Sequence, residues 1–277
     1  MRLRTLPVSI AGVVTAIALN LHHHNLRLTP ALLCMAFALL MQIASNFANE
    51  YFDYRAGRDR VGREGPRRGV TEGDISPRAM LAATLLTIAG GCAVGLVVVS
   101  YAGWWLVGVG VAIALGVFAY SAGPYPLSTH GLGEVAVIVF FGLVPVTLTY
   151  YICAGRCPAE VWRAAVAVGL MGANVLIVNN YRDVEDDRSV NKMTLAVRLG
   201  RRAMRVLYAA NGIVAMALML PTWLAVSPWC AAIPTAVAGA AVAIACRMAH
   251  LEGARLTPLL GATAMLMFVH SLLMFCM

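Results

Sequence analysis

A chain of 277 residues that is 60% hydrophobic and 12% charged, with a mean hydropathy of +0.77, excludes a water-soluble globular domain. The net charge of +8 does not point to nucleic acid, because the basic residues flank apolar runs in short loops where membrane topology accounts for them. Seven cysteines are scattered, mostly inside apolar runs and without a C-x-x-C pair, and read as small apolar filler.

A span needs about 20 apolar residues. Arg2 and Arg4 precede the first uncharged run, Thr5–Leu26, which carries none of the marks of a cleavable signal and is expected to stay in the mature chain. It ends at His22, His23 and His24. Three adjacent histidines cannot share one helix face, so they read as a solvated interfacial patch. The second run, Leu28–Asn49, hands over to NFANEYFDYRAGRD (Asn46–Asp59). Asn46, Asn49 or Glu50, and Asp53 stand on one face of a helix, an oxygen-rich set suited to a hard cation such as Mg²⁺.

From Tyr54 to Arg78 the chain is hydrophilic, with glycines and Pro66 against a long helix, and arginines whose forks suit phosphate oxygens. Ala79–Gly133 is long enough for two spans broken near Tyr101–Trp104. It ends in YSAGPYPLSTHGLGE (Tyr120–Glu134), where Tyr120 and Tyr125 offer rings to a cation or an aromatic substrate. Val135–Gly155 and Ala164–Tyr181 each hold one span. The latter leads into NNYRDVEDD (Asn179–Asp187), in which Asn180, Asp183 and Asp187 again fall at i, i+3 and i+7. Lys192, the one lysine, follows within reach of a bound anion. Val206–Cys246 holds two spans broken at Pro221–Pro228, and Leu256–Met277 holds the last.

The expected architecture is therefore all-α, a polytopic bundle of nine transmembrane helices in one domain, 1–277. Two related halves, roughly 1–155 and 156–277, each contribute an acidic helix end, and the motif loops are 53–78, 121–134 and 182–203. Of the 21 Lys and Arg, all but Arg27, Arg156 and Arg163 fall on the side of the N-terminus, which the positive-inside rule makes cytoplasmic. All five tryptophans fall towards the other side, as an aromatic belt would.

Most of the 13 acidic residues lie in two blocks, Glu50–Asp74 and Asp183–Asp187. Brought together bare, these carboxylates would repel. Divalent cations would offset the repulsion and bridge to an anion, and the fitting anion is a diphosphate whose lipid tail runs into the bilayer. Metal and basic side chains would then stabilise the charge on a departing diphosphate and leave an allylic cation.

These strings resemble the UbiA superfamily of intramembrane prenyltransferases. NFANEYFDYRAGRD, GPRRGVTEGDIS, YSAGPYPLSTHGLGE and NNYRDVEDDRSVNKMTLAVRLG, in this order after RTLP, are most similar to its 1,4-dihydroxy-2-naphthoate branch in menaquinone synthesis. The resemblance implies a nine-helix bundle around a cytoplasm-facing cavity with a lateral opening. It implies transfer of a polyprenyl group from a polyprenyl diphosphate to 1,4-dihydroxy-2-naphthoate, with loss of CO₂ and diphosphate, giving demethylmenaquinone. The expected cofactor is Mg²⁺, two ions, held by Asn49, Glu50, Asp53 and Asp59 of the first motif and Asn179, Asp183 and Asp187 of the second. Arg58, Arg68 and Lys192 are expected on the diphosphate, Tyr120 and Tyr125 facing the cation, and Arg4 and Asn46 on the aromatic acceptor. Gly57 stands where other branches carry a third Asp, Glu50 where Asp is usual, Asn191 where Gly is usual and Met193 where a basic residue is common. The expected partners are the two substrates and the bilayer, with no nucleic acid, in the inner (cytoplasmic) membrane. The alternatives are another acceptor in the same superfamily (4-hydroxybenzoate, haem or a chlorin), an ion-coupled transporter, whose acids are expected at the midplane rather than one end, and a phosphatidyl-alcohol transferase, which needs carboxylates packed more tightly than either cluster.

Overall fold

The computed structural model describes residues 6–59 and 67–277, and no β-strand occurs among them. The order is α1 (Leu6–His22), α2 (Leu28–Arg55), α3 (Pro77–Ala102), α4 (Trp105–Ser121), α5 (Gly133–Ala154), α6 (Ala159–Arg182), the short α7 (Val184–Ser189), α8 (Leu195–Val226), α9 (Pro228–Met248) and α10 (Gly253–Cys276). Seven of these have the length and hydropathy to cross a membrane among the described residues; α1 and α4 are apolar but only 17 residues each. At 1.5 Å per residue those two reach about 26 Å, slightly less than a hydrocarbon core of about 30 Å. The expectation of nine spans rests on them.

Local chemistry sets the ends. α2 runs past its uncharged stretch because nothing between Asn49 and Arg55 breaks a helix; Gly57, at φ 66°, stops it. Ser76 caps α3 by accepting from the Ala79 N–H at 3.2 Å, with Pro77 opening the helix. α5 contains a π-helical stretch, Ile138–Leu143, just before Pro145, whose missing N–H disturbs the ladder there. The break expected near Tyr101–Trp104 falls at Gly103 (φ 101°). The break expected at Pro221–Pro228 falls at Ser227, just after α8: the helix runs through Pro221, since in a packed bundle neighbouring groups tolerate the lost hydrogen bond.

The helix α6 is the hub, with Val161, Ala164, Ala165, Val168 and Ile177 buried in the main core and the helix packed against α1, α5, α8 and α10. It meets α5 without side chains between: a Cβ on Gly142 would lie 2.4 Å from the Gly169 Cα. Leu85, Leu86, Leu96 and Val97 of α3 and Val111 and Leu115 of α4 stay exposed, as lipid-facing residues do. Four tryptophans are exposed, but Trp223 is fully buried in the main core and belongs to no belt. His23 is not simply solvated either. It holds the Tyr150 hydroxyl at 2.7 Å and Glu160 at 3.3 Å, tying α1 to α5 and α6, a contact hidden from sequence by distance along the chain.

Candidate active site

A cavity of about 980 Å³ opens between α1, α2, α3, α4, α5 and α6. Cys34, Val98, Val99, Leu106 and Ile152 line one end; Asn46, Asn49, Tyr120, Asn179 and Arg182 line the other, beside Ala254 and Thr257 at the start of α10. Both sequence motifs thus contribute to the wall of one chamber.

The last turns of α2 bury Asn49, Glu50 and Asp53, the last only 2% exposed. The organising cation is Arg68, itself buried. Its Nη2 donates to Asn49 Oδ1 at 3.4 Å and stands 3.9 Å from Asp53, while its Nε is 3.3 Å from Asp59. Asn49 in turn donates to the Ser121 hydroxyl at 3.0 Å. Arg58 lies 3.7 Å from Asp53. Glu50, expected with the metal ligands, is engaged differently: its Oε1 accepts the Val70 N–H at 3.1 Å and anchors the turn that carries Arg68. A turn this close to the acidic face leaves a buried N–H needing an acceptor, and the extra methylene of Glu over Asp reaches it.

The second motif does not keep its expected face. Asp183 ends α6 and begins α7 with φ −89° and ψ 8°, off the helical path. Asn180, still within regular α6, donates to Glu134 of α5 at 3.0 Å, while Asn179 lies in the cavity wall. Arg182 grips Asp183 through Nε at 2.6 Å and Nη2 at 3.0 Å, and Nη2 also donates to Asn179 at 3.0 Å. Lys192 reaches Asp187 at 3.2 Å. Asn191 lies at φ 54°, a left-handed conformation glycine would take without strain and asparagine tolerates.

Of the two tyrosines expected to face a cation, Tyr120 lines the cavity. Tyr125 does not: it is 59% exposed and stacks on His130 at 3.6 Å. The Gly-Pro turn carries it out of the wall. Arg4 lies outside the described residues. Arg182, Ser121 and Glu134 were not among the expected site residues. The arginine directly preceding the aspartate in NNYRD is the signal that could have found the first; nothing local marks the other two.

No group of three or more His, Cys, Asp or Glu is close enough to enclose a metal among the described residues. Mg²⁺ does not need one, since one or two carboxylates plus phosphate and water oxygens satisfy it. Asp53, with carboxamides nearby, fits that pattern: its buried Oδ1 has no hydrogen bond among the described residues.

The sequence pattern of the UbiA prenyltransferase family matches residues 6–272. The chain is 37% identical over 279 aligned positions to the 1,4-dihydroxy-2-naphthoate octaprenyltransferase of Mycobacterium tuberculosis, covering 98% of this chain and 92% of that protein. To the Escherichia coli enzyme of the same name it is 36% identical, covering 72% and 67%. In fold it is similar to a UbiA homologue from Aeropyrum pernix (TM-score 0.73, 17% identity, 100% and 97% covered). It is also similar to one from Archaeoglobus fulgidus bound to GPP and Mg²⁺ (TM-score 0.61, 16% identity, 99% of each chain covered). The chain belongs to the UbiA prenyltransferase family.

Proposed function

We propose that this protein transfers a polyprenyl group from a polyprenyl diphosphate to 1,4-dihydroxy-2-naphthoate, releasing CO₂ and diphosphate and giving demethylmenaquinone in its reduced form. The observation that carries the reading is the chamber itself: Asn46 and Asn49 of one motif and Asn179 and Arg182 of the other line the polar end of a space walled mostly by hydrocarbon. Relatives named for this reaction match across nearly the whole chain.

Asn49, Asp53 and Asp59 at one helix end and Asn179, Asp183 and Asp187 at the other would hold Mg²⁺, two ions. The metal supplies neutralisation of charge on the leaving diphosphate. Arg58, Arg68 and Lys192 bind the diphosphate oxygens and already stand against the carboxylates. When the allylic C–O bond breaks, its electron pair leaves with the diphosphate. Tyr120 turns its ring to the cation, and the apolar wall keeps water from capturing it. A ring π pair of the naphthoate forms the new C–C bond, and the pair of the carboxylate bond returns to the ring as CO₂ departs. No ring proton has to be removed, so the mechanism calls for no general base. The motif end faces the cytoplasm on this reading, as the distribution of arginines favours, and the bilayer supplies the prenyl donor.

The deciding experiment is conversion of 1,4-dihydroxy-2-naphthoate by purified protein with prenyl diphosphates of several lengths, with Mg²⁺ and with chelator. 4-Hydroxybenzoate is offered in parallel. Metal-dependent turnover of the naphthoate supports the reading; turnover of the benzoate alone overturns it.

A further inference from the structure

Among the described residues lining the cavity, Arg182 is the one charged side chain. It is 4% exposed and ends α6 beside Asn179. A guanidinium is planar, with its donors fixed in direction. Nε and Nη2 form one edge, and that edge is spent on the two oxygens of Asp183. Nη1 occupies the corner away from that carboxylate. It is buried and has no hydrogen-bond partner among the described residues. Buried donors are costly to leave unmade, so an acceptor is expected to arrive with a ligand.

The cations already assigned to the diphosphate, Arg58, Arg68 and Lys192, stand against Asp53, Asp59 and Asp187 and are absent from the cavity wall. The other polar groups at that end of the chamber, Asn46, Asn49, Tyr120 and Asn179, are neutral. An aromatic acid entering there would lose its hydration, and among the described residues of the wall Arg182 is the positive charge it would meet.

We infer that Arg182 is the acceptor-recognition residue, its Nη1 donating one charge-assisted hydrogen bond to the carboxylate of the aromatic substrate. A single bond holds the carboxylate in register beside the allylic carbon. It leaves the group freer to depart as CO₂ than a two-pronged grip would. Asp183 orients the guanidinium from its other edge, so the second acidic motif serves both substrates. This rests on the proposed reaction and adds to it the group that selects for a carboxylate.

The test compares 1,4-dihydroxy-2-naphthoate with 1,4-dihydroxynaphthalene, the same ring without the carboxylate, on the full-length wild-type protein and Arg182→Gln. The variant is expected to raise KM for the naphthoate on the order of 10- to 100-fold, the scale of one hydrogen bond to a charged group. The Ki of the naphthalenediol as an inhibitor of naphthoate turnover, and KM for the prenyl diphosphate, are expected to stay near wild type. An equal weakening for both aromatic compounds, or a rise in KM that falls on the prenyl diphosphate, would overturn the inference. A wild-type binding measurement covers the case in which Arg182→Gln does not fold. Inorganic diphosphate is expected to leave dihydroxynaphthoate binding intact, and competition between them would overturn the assignment. If the wild-type protein fails to turn over the naphthoate at all, the functional reading itself is what fails.

Discussion

Removing Arg68 tests whether the first acidic face is a site held in readiness for a cation. Its guanidinium is buried and is the common partner of Asn49, Asp53 and Asp59, at 3.4, 3.9 and 3.3 Å. In Arg68→Gln, two buried carboxylates lose that partner, and Arg58, at 3.7 Å from Asp53 and more exposed, takes up only part of the charge. Breaking a buried pair from one side costs about 3–5 kcal/mol. For a chain of this size that corresponds to a fall in melting temperature on the order of 10 °C. The assay is thermal unfolding of detergent-solubilised protein in chelator and again in millimolar Mg²⁺. The variant is expected to melt well below wild type in chelator and to regain a substantial part of the loss with Mg²⁺, because a divalent ion can replace the missing guanidinium between the carboxylates. Wild-type melting in chelator would show that Arg68 is not what offsets these charges. A loss that Mg²⁺ leaves untouched would show that this face does not take a divalent cation.

Two further outcomes follow from the same geometry. Asp53→Asn and Asp183→Asn are expected to abolish turnover while keeping a folded protein, since each swap preserves shape and removes one charge; near-normal activity in either would remove the metal-site assignment. Tyr125→Ala is expected to change kcat/KM by no more than about twofold, as an exposed residue outside the wall should, whereas Tyr120→Ala is expected to lower kcat with little change in KM; steady-state kinetics of both variants distinguish the two tyrosines.

What could be read from the chain in advance depended on how local the cause was. The apolar runs and their spacing sufficed for an all-helical membrane bundle, because in lipid each backbone hydrogen bond closes within its own helix. The motif spacing placed Asn49 and Asp53 correctly on one helix end, since α2 stays regular through them. It carried one helical face on to Asp187, but the chain leaves the helical path at Asp183, and sequence periodicity assumes that it does not. Glu50 and Asn180 were diverted by partners 20 and 46 residues away, Val70 and Glu134. Trp223 and His23 departed from expectation for the same reason, through packing between elements distant in sequence. Arg182 was visible as a residue but not as part of a wall, for only the assembled cavity shows which cations line it and which stand against the acids outside it.

The closed end of the chamber supports one more prediction, about the prenyl tail. On α2 the lining runs from Cys34 to Asn49, and on α4 from Leu106 to Tyr120, which at 1.5 Å per residue is a depth of about 21–22 Å. The floor is itself a packed cluster, with Val98, Val99 and Ile152 buried around Cys34 and Leu106. Cys34→Phe and Leu106→Trp would fill that floor from two sides. If the tail ends inside, each displaced CH₂ forfeits about 0.8 kcal/mol of burial. A five-carbon unit expelled to water would then cost about 3–4 kcal/mol on the same scale. If instead the tail leaves sideways past the exposed leucines of α3 and α4, the expelled carbons enter lipid and the cost vanishes. The enclosed route predicts that both variants lower kcat/KM for long prenyl diphosphates by 10-fold or more relative to geranyl diphosphate, on the scale of half such a unit. Equal kcat/KM ratios across donor lengths would refute the enclosed route and assign the tail to the lateral one.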